Sequence, residues 1–222
     1  MSTKSLFQKK YIPNYLTILR MALVPIIVVF LLVSFGGIAY VLQNPLDKGS
    51  NYSIVTVNFL LAGILFVLAS LTDFVDGFLA RKYKWVSDFG KLWDPIADKV
   101  LINSVMICFG FMGLIPIWIP IIMIARDVIV DASRMLAASK NVVVPANFYG
   151  KVKTVTQMFA IIFIFFFFCG HAGGSSSNNI YYWAIQNLMM YVALFFSVLS
   201  GIIYMVQMQK IFKAKKNDSS KN

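Results

Sequence analysis

Long apolar runs separated by short polar segments follow one another along most of the chain. A helix needs about 20 residues to cross a bilayer core of about 30 Å, and several runs reach that length. The pattern predicts six membrane segments, with a tight turn around Gly113–Pro116 between the third and the fourth. Their expected ranges are 19–42, 53–80, 92–113, 115–138, 148–170 and 180–212.

These segments predict an all-α integral membrane protein with a single membrane domain. Residues 1–18 are expected to form an interfacial segment, 19–212 the six-helix bundle and 213–222 an unstructured basic tail. Pro13-Asn14 favours a helix start there, because Asn is a good N-cap residue. The first apolar run lacks a small-residue cleavage site, so it is interpreted as a retained helix and not as a signal peptide.

Composition agrees with a membrane protein. Apolar residues make up 59% of the 222 residues and charged residues 13%, whereas a soluble domain carries roughly a quarter charged residues. The net charge of +11 comes from basic residues in the polar segments and at the termini, next to predicted membrane boundaries. That placement is typical of attraction to lipid headgroups and does not favour nucleic-acid binding.

The basic residues also predict the orientation. Three of the polar segments on one side, together with the C-terminal tail, are rich in them, whereas those on the other side contain only Lys48. Cytoplasmic loops carry the excess of Lys and Arg, so both termini are expected in the cytoplasm of a multi-pass cell-membrane protein. The basic residues on the cytoplasmic side are Lys4, Lys9, Lys10, Arg81, Lys82, Lys84, Lys91, Lys140, Lys151, Lys153, Lys213, Lys215, Lys216 and Lys221.

Acidic residues are few and clustered. All nine are Asp. Asp73 and Asp76 are three residues apart, and Asp94 and Asp98 are four residues apart. Each spacing places a pair on one helix face, and the short connection brings the two pairs together at the cytoplasmic end of neighbouring helices. Clustered carboxylates favour hard divalent cations, which predicts two Mg²⁺ or Mn²⁺ ions. The alternative is a set of solvated carboxylates that pair with Arg81, Lys91 and Lys99.

Small residues lie among these carboxylates. Gly77, Ala80 and Gly90 leave a surface on which a nucleotide can approach the backbone closely, and Arg81 suits phosphate oxygens. Close helix–helix packing explains the same small residues equally well.

The string Asp73-x2-Asp76-Gly77-x2-Ala80-Arg81-x8-Gly90-x3-Asp94-x3-Asp98 resembles the signature of the CDP-alcohol phosphotransferase family. The resemblance implies that Asp73, Asp76 and Asp94 hold the metal ions. It implies that Asp98 borders the same ions and acts as the general base. The residues that the resemblance places around the CDP-diacylglycerol headgroup are Asn14, Thr17, Asp73, Gly77, Ala80, Arg81 and Ser87.

Basic residues further along the chain predict an acceptor site. Arg126 and Arg134 lie within the fourth segment, and Lys151 and Lys153 begin the fifth. Arginine inside an apolar run is costly, so these side chains are expected to face a polar cavity and bind a phosphate on the acceptor. Ion pairing with Asp127 and Asp131 is the competing explanation.

The function implied by the resemblance is phosphatidyl transfer from CDP-diacylglycerol, by a homodimer in the membrane. The strings Asp94-Pro95-x-Ala97-Asp98-Lys99, Ala125-Arg126-Asp127 and Gly150-Lys151-Val152-Lys153-Thr154 resemble the bacterial branch that uses sn-glycerol 3-phosphate as acceptor. Inositol phosphate, serine and phosphatidylglycerol remain alternative acceptors. A cation transporter is the alternative from another class, although transporters place ion sites near the midplane and contain internal repeats.

Overall fold

The computed structural model describes residues 12–33, 37–43, 52–83, 88–139, 148–167 and 180–219. Within these elements, only the backbone is described for residues 12–13, 38–43, 52–54, 73–83, 88–92, 167, 180–186 and 214–219. The elements in chain order are α1 (Ile12–Leu32), β1 (Ile38–Gln43), β2 (Tyr52–Thr56), α2 (Val57–Tyr83), α3 (Asp88–Phe111), α4 (Trp118–Ser139), α5 (Phe148–Phe167) and α6 (Ile180–Ser219).

The six helices confirm the predicted helical architecture, but the first segment is wrong at its C-terminal end. The prediction extends that helix to Leu42, whereas α1 ends at Leu32 and β1 follows at Ile38–Gln43. The second helix correspondingly begins at Val57, after strand β2, and not at Ser53. An apolar run by itself does not distinguish a helix from a buried strand, which explains the error.

Both ends of the bundle also differ from the predicted boundaries. Helix α1 begins at Ile12, so residues 12–18 of the predicted interfacial segment belong to the first helix. Asn14 therefore lies in the first turn of α1 and not at its N-cap. Helix α6 continues to Ser219, where an unstructured tail is predicted from Lys213.

The chain divides into two compact units. The first contains Met1–Leu114 and Ile162–Asn178, and the second contains Ile115–Ile161 and Asn179–Asn222. Helices α1, α2 and α3 and the hairpin thus belong to the first unit, and α4 and α6 belong to the second. Most of α5 lies in the second unit, while its last turns belong to the first.

In the first unit, α1 packs against both α2 and α3. Its buried positions are spaced alternately three and four residues apart, which is the spacing of one helix face. The opposite face consists largely of exposed apolar side chains. The buried positions are Thr17, Arg20, Val24, Ile27 and Leu31.

The strands β1 and β2 form an antiparallel pair, with Val41 opposite Ile54 and a bulge between Ile38 and Tyr40. The hairpin joins the end of α1 to the start of α2. There the Asn58 side chain donates to the carbonyl of Val33 at 2.6 Å. Thr56 caps α2, because its hydroxyl accepts from the amide of Phe59 at 3.4 Å.

Four phenylalanines pack together in the buried interior of this unit. The ring of Phe165 in α5 lies 5.1 Å from Phe59, 5.7 Å from Phe66 and 4.9 Å from Phe109, measured between centroids. Phe59 near the start of α2 stacks on Phe109 near the end of α3, so these two helices are antiparallel. Gly63 leaves room for Phe165, because a Cβ there would stand 3.1 Å from its ring.

The predicted turn after α3 is confirmed. Gly113 has a φ of 72°, the left-handed conformation that glycine adopts at helix ends. The amide of Leu114 donates to the carbonyl of Phe109 at 2.9 Å, and the amide of Gly113 donates to the carbonyl of Gly110 at 3.2 Å. These two bonds form a Schellman motif.

In the second unit, α4 packs against α6. Trp118 contacts Tyr191 near one end, and Arg134 contacts Tyr204 two or more turns later along both helices. The two helices therefore run parallel.

Three helical stretches in the described part of the chain are long and apolar enough to cross a membrane: Asn14–Leu32, Phe148–Phe166 and Asn187–Lys213. Val57–Thr72 is a shorter apolar stretch of α2. Helices α3 and α4 carry several charged residues in their apolar sequence. The exposed faces of the bundle are rich in large apolar side chains, as expected of surfaces that meet lipid.

Candidate active site

Asp94 of α3 is held by a residue of α1. The Thr17 hydroxyl donates a short hydrogen bond to the Asp94 carboxylate. Thr17 is fully buried, whereas Asp94 is partly exposed. The buried face of α1 therefore orients the carboxylate of a partly exposed residue, and the bond involves only one of the two Asp94 oxygens.

Asp98 lies one helical turn after Asp94 on the same face of α3, and it is also partly exposed. The buried residue Ala97 lies between them in sequence and packs this part of α3 against the unit. Two accessible carboxylates one turn apart supply oxygen donors of the kind that hard divalent cations prefer. The described part of the predicted metal site therefore fits such an ion.

The other predicted headgroup residues are only partly described. The backbone at Asp73, Asp76, Gly77, Ala80 and Arg81 is helical, in the last turns of α2, but their side chains lie outside the description. Ser87 lies outside the described residues altogether. Among the side chains that are described, no three metal-binding groups cluster, and this set does not include Asp73 and Asp76.

A buried polar cluster lies in the second unit and is centred on Asp127 of α4. The Lys153 ammonium of α5 donates to both carboxylate oxygens of Asp127, at 2.7 and 2.5 Å. Arg126 donates to one of the same oxygens at 2.7 Å. Lys153 and Asp127 are both buried, so a close ion pair is needed to offset the cost of removing these charges from water.

Arg126 has a second anchor on α6. Its other terminal nitrogen donates to the Ser200 hydroxyl at 2.7 Å. A Cβ at the neighbouring Gly201 would stand 3.0 Å from both Cγ and Nε of Arg126. The arginine side chain therefore crosses α6 at the one position where that helix presents only backbone.

The four predicted acceptor residues have different surroundings. Arg126 and Lys153 share Asp127, as the ion-pairing explanation expects for them. Lys151 is exposed, and Arg134 is exposed with its guanidinium 5.3 Å from the centre of the Tyr204 ring. Lys153 lies near the start of α5, as expected for the fifth segment, and its side chain is buried.

Ser200, Gly201 and Tyr204 are residues that the sequence reasoning missed. They lie in the sixth apolar run, where nothing near them carries charge. The adjacent serine and glycine are the available signal, because small residues in a membrane helix mark a close approach by another group.

The chain is similar to known proteins over most of its length. Residues 10–199 match the family model described as CDP-alcohol phosphatidyltransferase. A protein of Mycoplasma genitalium is 36% identical over an alignment that covers 96% of this chain and 90% of that protein. It is named CDP-diacylglycerol–glycerol-3-phosphate 3-phosphatidyltransferase.

Two further relatives carry the same name. The one from Mycoplasma pneumoniae is 38% identical over 94% of this chain and 92% of its own length. The one from Bacillus subtilis is 34% identical over 87% of this chain and 92% of its own length. Members of this family generally use divalent metal ions.

Proposed function

The chain belongs to the CDP-alcohol phosphatidyltransferase family, and we propose that it transfers the phosphatidyl group of CDP-diacylglycerol to sn-glycerol 3-phosphate. The products are phosphatidylglycerophosphate and CMP. The observation that carries the proposal is the similarity to relatives named for this reaction, which extends over nearly the full length of both chains.

Divalent ions belong to the proposed site, held by Asp73, Asp76, Asp94 and Asp98. Mg²⁺ and Mn²⁺ are the candidates, because both prefer oxygen ligands. When bound, two such ions supply positive charge for the pyrophosphate of the lipid substrate and for the departing CMP. The hydrogen bond from Thr17 supports this assignment, because metal-binding carboxylates are commonly oriented by a second residue.

The proposed chemistry requires one proton acceptor. The attacking hydroxyl oxygen of glycerol 3-phosphate forms a bond to the phosphorus that bears the diacylglycerol. The bond from that phosphorus to the bridging oxygen breaks, and CMP leaves with this oxygen. Asp98 receives the hydroxyl proton. Its partial exposure on the same face as Asp94 supports this role.

CDP recognition is assigned to the start of α1 and the end of α2. The proposed contacts are Asn14, Thr17, Asp73, Gly77, Ala80, Arg81 and Ser87. Asn14 and Thr17 lie in the first two turns of α1, one helical turn apart.

The phosphate of the acceptor is assigned to basic residues of the second unit. Arg126, Arg134, Lys151 and Lys153 are the candidates, and Arg126 is the leading one. Its guanidinium is oriented by Asp127 and Ser200, and an oriented guanidinium suits phosphate oxygens. Arg126 and Lys153 carry two positive charges and Asp127 one negative charge, so the cluster has a net charge of +1 that favours an anionic ligand.

All six helices are proposed to cross the membrane, with both termini and the active site on the cytoplasmic side. Helix α6 has 40 residues and is about 60 Å long at 1.5 Å per residue, so it extends well beyond a core of about 30 Å. Labelling of single cysteines placed at Lys48 and Lys140 in intact cells tests this orientation. Labelling of the Lys140 site alone by an impermeant reagent would contradict it. Molar mass in detergent tests the proposed homodimer.

An acceptor panel tests the reaction. Purified protein is supplied with CDP-diacylglycerol, Mg²⁺ or Mn²⁺, and one acceptor at a time, and CMP release is measured. Release is expected with sn-glycerol 3-phosphate and not with glycerol, serine, inositol phosphate or phosphatidylglycerol. Faster release with any of those four would reassign the acceptor.

A further inference from the structure

The Arg126 side chain lies directly against the backbone of α6 at Gly201. A Cβ there would be 3.0 Å from Cγ, 3.0 Å from Nε and 3.6 Å from Cδ of Arg126. These three atoms are the nearest neighbours of that position, and all belong to one side chain. The atoms closest to a Cβ at Gly201 would therefore all belong to Arg126.

Both ends of this guanidinium are fixed. One terminal nitrogen donates to Asp127 and the other to Ser200, each at 2.7 Å. Asp127 is itself held in place by Lys153. A side chain bonded at two points, with its middle against a backbone, has little room to move by the few tenths of an ångström that a Cβ would demand.

The Nε atom of Arg126 is buried and, in the part of the chain that the structure describes, has no hydrogen-bond partner. Burying a donor of a charged group without a partner is costly. The arrangement therefore places the guanidinium by steric fit and by its terminal bonds, at the expense of one donor.

We propose that Ser200 and Gly201 form a seat on α6 that, together with Asp127, positions Arg126 for the phosphate of the acceptor. This inference rests on the proposed function. Arg126 is the group that touches the acceptor, whereas Ser200, Gly201 and Asp127 are positioning residues. A cation fixed before the substrate arrives binds it without losing further side-chain freedom, so the seat sets the affinity for the phosphorylated acceptor.

The first test compares two glycine substitutions. Gly201→Ala forces Arg126 from its seat, and we expect the KM for glycerol 3-phosphate to rise about tenfold or more, as for the loss of a hydrogen bond to a charged group. The KM for CDP-diacylglycerol and the kcat are expected to stay within about twofold, a small change on a scale where tenfold is 1.4 kcal/mol. Gly150→Ala is the matched control, because its Cβ would be 3.5 Å from Ser200, an ordinary contact.

A double-mutant cycle separates positioning from general disturbance of α6. An Arg126→Ala background lacks the three side-chain atoms nearest to the Gly201 methyl group, so Gly201→Ala should raise the KM no further. If the effects of the two substitutions on the free energy derived from this KM are additive, the proposal that Gly201 positions Arg126 is wrong.

Serine substitutions provide a second test of the proposal, which applies even if the Gly201→Ala protein does not fold. Ser200→Ala removes the anchor of Arg126 and should raise the KM for glycerol 3-phosphate several-fold or more, because a hydrogen bond to a charged group is lost. Ser197→Ala is its matched control, since Ser197 is equally buried on α6 and its hydroxyl has no hydrogen-bond partner among the described residues. Equal KM values for the two serine variants would overturn the seat.

The experiments distinguish an error in the proposed positioning of Arg126 from an error in the proposed function. If the wild-type protein releases CMP with glycerol 3-phosphate while the Gly201→Ala and Ser200→Ala variants match their controls, the seat is wrong and the function stands. If the wild-type protein prefers an acceptor without phosphate, the proposed function fails, and the seat fails with it.

Discussion

At the scale of single residues, the contact between Thr17 and Asp94 links two parts of the sequence that are 77 positions apart. The fully buried Thr17 cannot move without disturbing the face that α1 presents to α2 and α3. It therefore determines where one Asp94 oxygen points. If Asp94 binds metal as proposed, Thr17 controls the affinity for the ion without touching it.

Thr17→Val keeps the shape of the side chain and removes the hydroxyl donor. We expect the metal concentration that gives half-maximal activity to rise about 10- to 100-fold, the usual cost of removing such an outer partner. Thr17→Ser, which retains the hydroxyl, is the control. A metal titration of Thr17→Val that superimposes on the wild-type curve would show that the bond does not orient a ligand.

Asp98→Asn keeps the size of the proposed base and removes its charge and basicity. General-base catalysis typically contributes about 10²- to 10⁴-fold, so turnover is expected to fall by at least that range. CMP release at saturating substrates measures turnover, and equilibrium binding of CDP-diacylglycerol to the variant checks that the site persists. Near-normal turnover would assign the base to another group.

The candidate residues differ in how far sequence alone could predict their surroundings. The spacing of Asp94 and Asp98 predicted their common face, because the helix period is local. It could not predict that Lys153, and not Lys151, is the buried lysine, since that depends on where Asp127 of another helix lies. Ser200 and Gly201 escaped notice for the same reason, because their role depends on a side chain from α4.

At the scale of elements, the apolar runs predicted that helices exist better than they predicted where the helices end. The first run continues past Leu32 into Ile38–Gln43, which is rich in β-branched and aromatic residues, and the structure forms a strand there. Gly37 has a φ of 95° and stands before that strand. A glycine inside an apolar run was thus the available sign that the helix ends early.

The fit of α5 against α2 predicts a stability effect. Gly63→Ala would place a Cβ 3.1 Å from Phe165, whose ring cannot retreat because it contacts Phe59, Phe66 and Phe109. Overpacking of this kind costs about 1–3 kcal/mol, which outweighs the gain of up to about 1 kcal/mol from replacing a helical glycine. The melting temperature in detergent should fall below that of wild type.

Gly150→Ala again provides the comparison, because its Cβ meets only an ordinary contact and its melting temperature should not fall. If Gly63→Ala melts at or above the temperature of Gly150→Ala, the aromatic cluster is more adaptable than its geometry suggests.

At the scale of the whole molecule, charge distinguishes α3 and α4 from the three described helical stretches that are long and apolar enough to cross a membrane. Helix α3 carries Asp94 and Asp98 of the proposed site within its apolar sequence, and α4 carries Arg126 and Arg134. Charged residues inside a membrane segment mark function, since their cost must be offset by partners or ligands. The charged residues of α3 and α4 are therefore candidates for function, as the proposed roles of Asp94, Asp98 and Arg126 require.

The most direct measurement of the central claim follows one oxygen atom. sn-Glycerol 3-phosphate labelled with ¹⁸O in its attacking hydroxyl is supplied with CDP-diacylglycerol and Mg²⁺, and the lipid product and CMP are analysed by mass spectrometry. Attack of that hydroxyl on phosphorus predicts phosphatidylglycerophosphate that retains the label, together with unlabelled CMP. Absence of this lipid, or a product without the label, would contradict the proposed reaction.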